Sequence, residues 1–163
     1  MRKKVVAGAG LFKKKADPIP PAIEEQLWKI GDLETNTPQK LLRTMFWLIG
    51  VKFGLRDGQE HRSFTKDNFK LCPGYIQYTK SIFKTYRLEH SNIEPHSAKE
   101  YSNTQQPERC IVNVYQLYLK KLPAETPSSI FYFQPLTTSS RPVWFSKQPI
   151  GKNKLEHVIK DIM

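Results

Sequence analysis

The sequence predicts an α+β domain, mostly helical with a small β-hairpin or sheet, and three observations lead there. Apolar residues recur at helical spacing in four separate segments. Between them lie short runs rich in β-branched and aromatic residues, bounded by turn formers, which read as strands. The chain has 163 residues, 39% of them hydrophobic, enough for one core and hence one domain.

Residues 1–20 read as a flexible basic arm ending in the breaker Pro18-Ile19-Pro20-Pro21. The domain proper then occupies residues 21–163. Ile23, Leu27 and Ile30 repeat at helical spacing, with Glu24 and Glu25 in the first turn and Gly31 after the last. A second helix starts at Thr37-Pro38, a capping residue followed by proline in the first turn. Its Leu41, Leu42, Met45, Phe46, Leu48 and Ile49 cover most of the circumference, so it is the central buried helix. Residues 75–79 and 84–88 read as a hairpin, and residues 90–106 as a polar loop. Residues 110–122 return to helix, with Ile111, Tyr115, Tyr118, Leu119 and Leu122 on one side. A short strand over 130–133, a turn-rich link over 137–142 and an extended piece at Val143-Trp144-Phe145 follow. Leu155, Val158, Ile159 and Ile162 then mark a closing helix. Trp28, Trp47 and Trp144 have apolar neighbours and read as core anchors rather than base-stacking platforms.

Twenty-six lysines and arginines against fifteen acids give a formal charge of +11, which favours polyanionic partners. Six of the bases, among them Lys13, Lys14 and Lys15, stand in the first sixteen residues with no acid beside them. That run suits nuclear import, contact with DNA, or simply a solvated arm. The two cysteines, Cys72 and Cys110, are too few for a disulfide scaffold and have no metal-ligand spacing with the four histidines. No cofactor or metal is expected, nor a small-molecule substrate. The longest apolar run, residues 45–51, is far short of the roughly 20 residues a membrane helix needs, so no membrane partner is expected.

The densest chemistry lies in Phe53-Gly54-Leu55-Arg56-Asp57-Gly58-Gln59-Glu60-His61-Arg62-Ser63-Phe64. Two arginines, a histidine and two carboxylates surround glycines that let the backbone turn sharply. Arginine offers a fixed fork of donors matched to phosphate oxygens, and Glu60 is placed to hold one such fork. The segment is therefore either a phosphate clamp or a charged turn at a helix end. His61 could equally cap or hydrogen-bond near the turn, and Arg62 could pair with an acid.

Leu41-Leu42-Arg43-Thr44, then Phe53-Gly54-Leu55-Arg56 and Gln59-Glu60-His61-Arg62-Ser63, resembles a eukaryotic domain derived from Crypton-type tyrosine recombinases. That domain also stands at the C-terminal end of MYM-type zinc-finger proteins and of a glutamine-rich nuclear protein. Further matches run in order along the chain: Lys13-Lys14-Lys15-Ala16-Asp17-Pro18, Glu24-Glu25-Gln26-Leu27-Trp28, Pro107-Glu108-Arg109-Cys110, and residues 115–123, 131–135 and 144–155. The resemblance implies the N-terminal part of a tyrosine recombinase catalytic domain. Such enzymes attack a DNA phosphate with tyrosine, stabilise the phosphoryl charge and protonate the leaving oxygen. By the resemblance Arg56 matches the first catalytic arginine, Glu60 its neighbouring carboxylate, and Lys84 the lysine of a β-hairpin. Phe83 replaces the serine that usually precedes that lysine, and Tyr86-Arg87-Leu88 replaces the glycine pair that follows.

No His-x-x-Arg motif occurs in the chain, and none of its seven tyrosines holds the late position of the nucleophile. Tyr115 and Tyr118 lie on the inward face of a helix. The expectation is therefore a DNA-binding domain in the nucleus, interrupted before the second catalytic motif and without catalysis. Arg56 and Lys84 would be inherited catalytic positions, and Arg56, Glu60, His61, Arg62, Lys84, Arg87 and Lys13 to Lys15 the DNA-binding set. A non-catalytic protein-interaction module of a nuclear transcription or chromatin regulator, with nuclear proteins as partners, is the alternative.

Overall fold

The computed structural model describes residues 19–55, 58–80, 97–160 and 162. The basic arm with Lys13, Lys14 and Lys15, then Arg56, the expected strand over 84–88, Lys84 and Arg87 all lie outside the described residues. Within them the fold is α+β, built of helices and small antiparallel sheets.

Helix α1 (Pro21–Lys29) packs by Leu27, while Ile23 and Ile30 are 43% and 61% exposed. The apolar stripe expected there is thus only one residue deep. Helix α2 (Pro38–Phe53) is the central element, as its near-continuous apolar surface requires. Leu41, Leu42, Met45, Leu48 and Ile49 are fully buried. The Thr37 hydroxyl accepts from the Lys40 N–H, and Pro38 occupies the first turn. Gly54 ends the helix in the left-handed region at φ 65°, where a side chain would be strained. The short helix α3 (Gly58–Arg62) follows.

The first strand of the expected hairpin is present as β2 (Tyr75–Thr79), and the second, over 84–88, lies outside the described residues. Strand β2 pairs antiparallel with β1 (Phe69–Cys72) on one side and with β3 (Ser97–Tyr101) on the other. Pro73-Gly74 forms the β1–β2 turn, with Gly74 at φ 79°. The polar-loop reading of residues 90–106 therefore fails at β3. That strand is half exposed and carries Ser, Lys and Glu, so it has no apolar alternation to betray it. Ile76, Tyr78 and Phe69 face inward, where the sheet meets helix α4 (Ile111–Lys121).

Helix α4 buries Ile111, Val112, Val114, Tyr115 and Tyr118. The Tyr118 hydroxyl donates to the Phe131 carbonyl at 2.7 Å and accepts from the Phe133 N–H at 3.2 Å, fixing the chain at the start of β4 (Phe133–Pro135). The ladder begins at Phe133 rather than at residue 130; Phe131 and Tyr132 are buried but lie ahead of the strand. Strand β5 (Phe145–Pro149) pairs with β4 through an irregular register. Trp47 and Trp144 are buried, and Trp28 packs at the core's edge. Helix α5 (Lys152–Lys160) docks on α3, with Leu155 buried and Val158 packed against the core.

Candidate nucleic-acid interface

Helix α3 is only five residues long, too short to persist alone, so side chains must hold it. His61 does this from within. Its ring stacks on Phe46 of α2, with centroids 3.7 Å apart and planes 16° from parallel. Its Nδ1 lies 2.8 Å from the Tyr132 hydroxyl, in a bond of which either group can be the donor. The ring also fits over Gly50, where an added Cβ would come within 3.4 Å of Nε2. At 3% exposure His61 is part of the interior and packs α3 onto α2. Burial raises the Tyr132 pKa well above that of free tyrosine, with the neighbouring Tyr118 adding to the shift. Its phenol therefore stays protonated.

The polar residues on either side of His61 face outward. Arg62 donates to Glu156 of α5 at 2.6 Å. Glu60 accepts from Lys80, just past the end of β2, at 2.8 Å. One helical turn thereby joins α2, the end of β2 and α5. Beside it opens a cavity of about 270 Å³ whose lining includes His61, Arg62, Ser129, Ile150, Lys152 and Leu155. Residues 147–160 carry Lys147, Lys152, Lys154 and Lys160 against the single acid Glu156, and all four lysines are exposed.

Of the expected set, Glu60 and Arg62 stand together at the surface, His61 lies beneath them, and Arg56, Lys84, Arg87 and the basic arm are outside the described residues. Three contributors were not singled out in sequence: Lys80, Tyr132 and Glu156. The pairs they form span 20, 71 and 94 residues, and no local pattern signals contacts at such separations. The tyrosines of α4 behave as core groups: burial lifts Tyr115 to about 12 and Tyr118 higher still. Among the described residues no group of three His, Cys, Asp or Glu side chains converges on a metal position, and no helix is long and apolar enough to cross a membrane.

Residues 19–163 match the family described as "Domain of unknown function (DUF3504)". The chain belongs to that family. Among curated proteins, this DUF3504 chain is 27% identical to human zinc finger MYM-type protein 2, over 86% of its own length and 12% of that protein's. Mouse zinc finger MYM-type protein 3 is also 27% identical, with the same coverage of both chains. The human transcriptional regulator QRICH1 is 25% identical, over 86% of this chain and 20% of that protein. The chain thus spans between an eighth and a fifth of the length of these relatives. No solved structure matches it.

Proposed function

We propose that this domain binds duplex DNA as a non-catalytic descendant of a tyrosine recombinase, inside a nuclear regulatory protein. The observation that carries the reading is the convergence on α3. Arg62, Lys80 and Lys152 gather at one short helix whose position His61 fixes from the core, and the neighbouring β5 and α5 carry the further exposed lysines Lys147, Lys154 and Lys160. Rigid placement of such cations favours phosphate contact, because little side-chain entropy remains to be lost on binding. The relatives' names, with their zinc fingers and transcriptional regulation, support a nuclear regulatory setting. Arg56 and Lys84 are assigned to the DNA-binding set as inherited phosphate contacts, together with Arg87 and Lys13, Lys14 and Lys15. Recombination and integration chemistry are not assigned to this chain.

Anisotropy titration of labelled duplex DNA across a salt series tests the reading. With about five phosphates neutralised, log affinity should fall against log salt with a slope of roughly −4 to −5. Deleting residues 1–15 should flatten it, as should replacing Lys147, Lys152, Lys154 and Lys160 by glutamine. Absence of binding at low salt would overturn the proposal in favour of a protein-interaction module. One observation supports that second reading: Ile19, Ile23 and Ile30 are exposed on and beside α1.

A further inference from the structure

The outward face of the three-stranded sheet has a composition unlike the rest of the surface. Register places Lys70, Gln77 and Lys99 side by side across β1, β2 and β3, and places Cys72, Tyr75 and Tyr101 in the next row. The opposite face packs on the core through Phe69, Ile76 and Tyr78, so side-chain alternation sends these two rows outward. Tyr101 is 68% exposed, an unusual state for an aromatic ring on a paired strand. It is not loosely held. Its ring lies against Tyr75 with centroids 5.6 Å apart at 45°. The Lys99 ammonium sits 5.1 Å from the Tyr75 centroid, fixed over that ring by cation–π attraction. Gln77 donates to the Ser97 hydroxyl at 2.9 Å, tying β2 to β3 beneath. No acidic side chain occupies an outward position on these strands; Glu100 pairs with Ile76 in an inward-facing row.

We infer that this sheet face binds an unpaired DNA strand, with a base stacked on Tyr101 and the backbone held by Lys70 and Lys99. The inference rests on the proposed DNA-binding role and extends it to a second surface and a different form of DNA. Tyr75 is covered by Lys99, so the stacking surface is Tyr101, with Tyr75 as its buttress. Lys70 and Lys99 stand two strand spacings apart, about 10 Å, in the row that runs alongside the aromatic one. Exposed aromatic rings beside lysines on an antiparallel sheet suit stacked bases because every base has an apolar face, while the cations meet the phosphates. A duplex keeps its bases paired inside and cannot use Tyr101 in this way.

The full chain is titrated by anisotropy with a short mixed-sequence DNA strand, with the same strand in duplex form, and with the RNA strand of equal sequence. Tyr101→Ala should weaken single-strand binding by roughly 5- to 150-fold, the range for losing one stacked base, and leave duplex binding unchanged. Tyr101→Trp should retain it. Lys70→Gln with Lys99→Gln should reduce the single-strand salt slope by about 1.4. Ultraviolet cross-linking of an iodouridine-substituted strand should map to Tyr101. Circular dichroism verifies that each variant is folded. Single-strand affinity indifferent to Tyr101→Ala, preference for the RNA strand, or heparin binding as tight as the oligonucleotide would each overturn the inference. Because the duplex is measured in parallel, loss of duplex binding alone counts against the proposed function and not against this surface.

Discussion

His61 shows how one side chain can carry the position of a whole surface. It is polar, nearly fully buried, stacked on Phe46 and bonded to Tyr132. Removing it would leave a cavity between α2 and α3 and would strip a partner from a buried phenol. His61→Ala should therefore cost roughly 2–4 kcal/mol in urea unfolding, and Tyr132→Phe about 1–2 kcal/mol. If the histidine positions α3, both variants should also weaken duplex binding at temperatures where they remain folded. A His61 that served DNA directly would instead give lost binding with unchanged stability. The cluster of charge and glycine around it was legible in the sequence. Which members point inward was not, because Tyr132 lies 71 residues away and supplies no periodic signal.

Among the elements, α2 was the most legible, since its cap, first-turn proline and apolar surface all agree with the structure. Thr37→Ala should destabilise by about 1 kcal/mol through the lost cap. Gly54→Ala should cost roughly 1–2 kcal/mol, all of it conformational, because the backbone is left-handed there and an added Cβ meets no atom within 4 Å. Strand β3 was illegible for the opposite reason: an edge strand buries little, so its sequence carries little pattern. The closing helix showed its apolar spacing but not its docking on α3, which depends on Arg62 and Glu156. Peripheral elements are tied down by ion pairs that respond to acid. The Glu34 carboxyl is held below its ordinary value of 4.5 by hydrogen bonds from Lys40 and Asn36, and Glu25 below the same value by Arg109. Depressed folded values mean that their support is present above the unfolded value and lost as pH falls through the folded one. Replacing both by glutamine should thus flatten the decline in melting temperature below pH 4.5, by a small amount because both groups are exposed.

At the scale of the molecule, the proposed recombinase ancestry does not bring the activity with it. A tyrosine nucleophile must reach the scissile phosphate and surrender its proton to a nearby base. Tyr115, Tyr118 and Tyr132 do neither readily, since all three are buried and burial raises each pKa. Tyr118 also has its hydroxyl committed to Phe131 and Phe133 of the interior. Tyr78 is buried in the sheet and likewise raised by desolvation first of all. Tyr75 and Tyr101 are more accessible, but they lie on the outward sheet face, whereas Arg62 and Lys152 stand at α3. A catalytic site that works as a unit loses nearly all its rate when one member is missing. Incubation of this chain with nicked suicide substrates, followed by a denaturing gel, should therefore yield no covalent protein–DNA adduct, even at salt low enough for full binding. An adduct mapped by mass spectrometry to any tyrosine of this chain would overturn that expectation. It would also identify which side chain carries out the attack, and would replace the proposed non-catalytic reading with an enzymatic one.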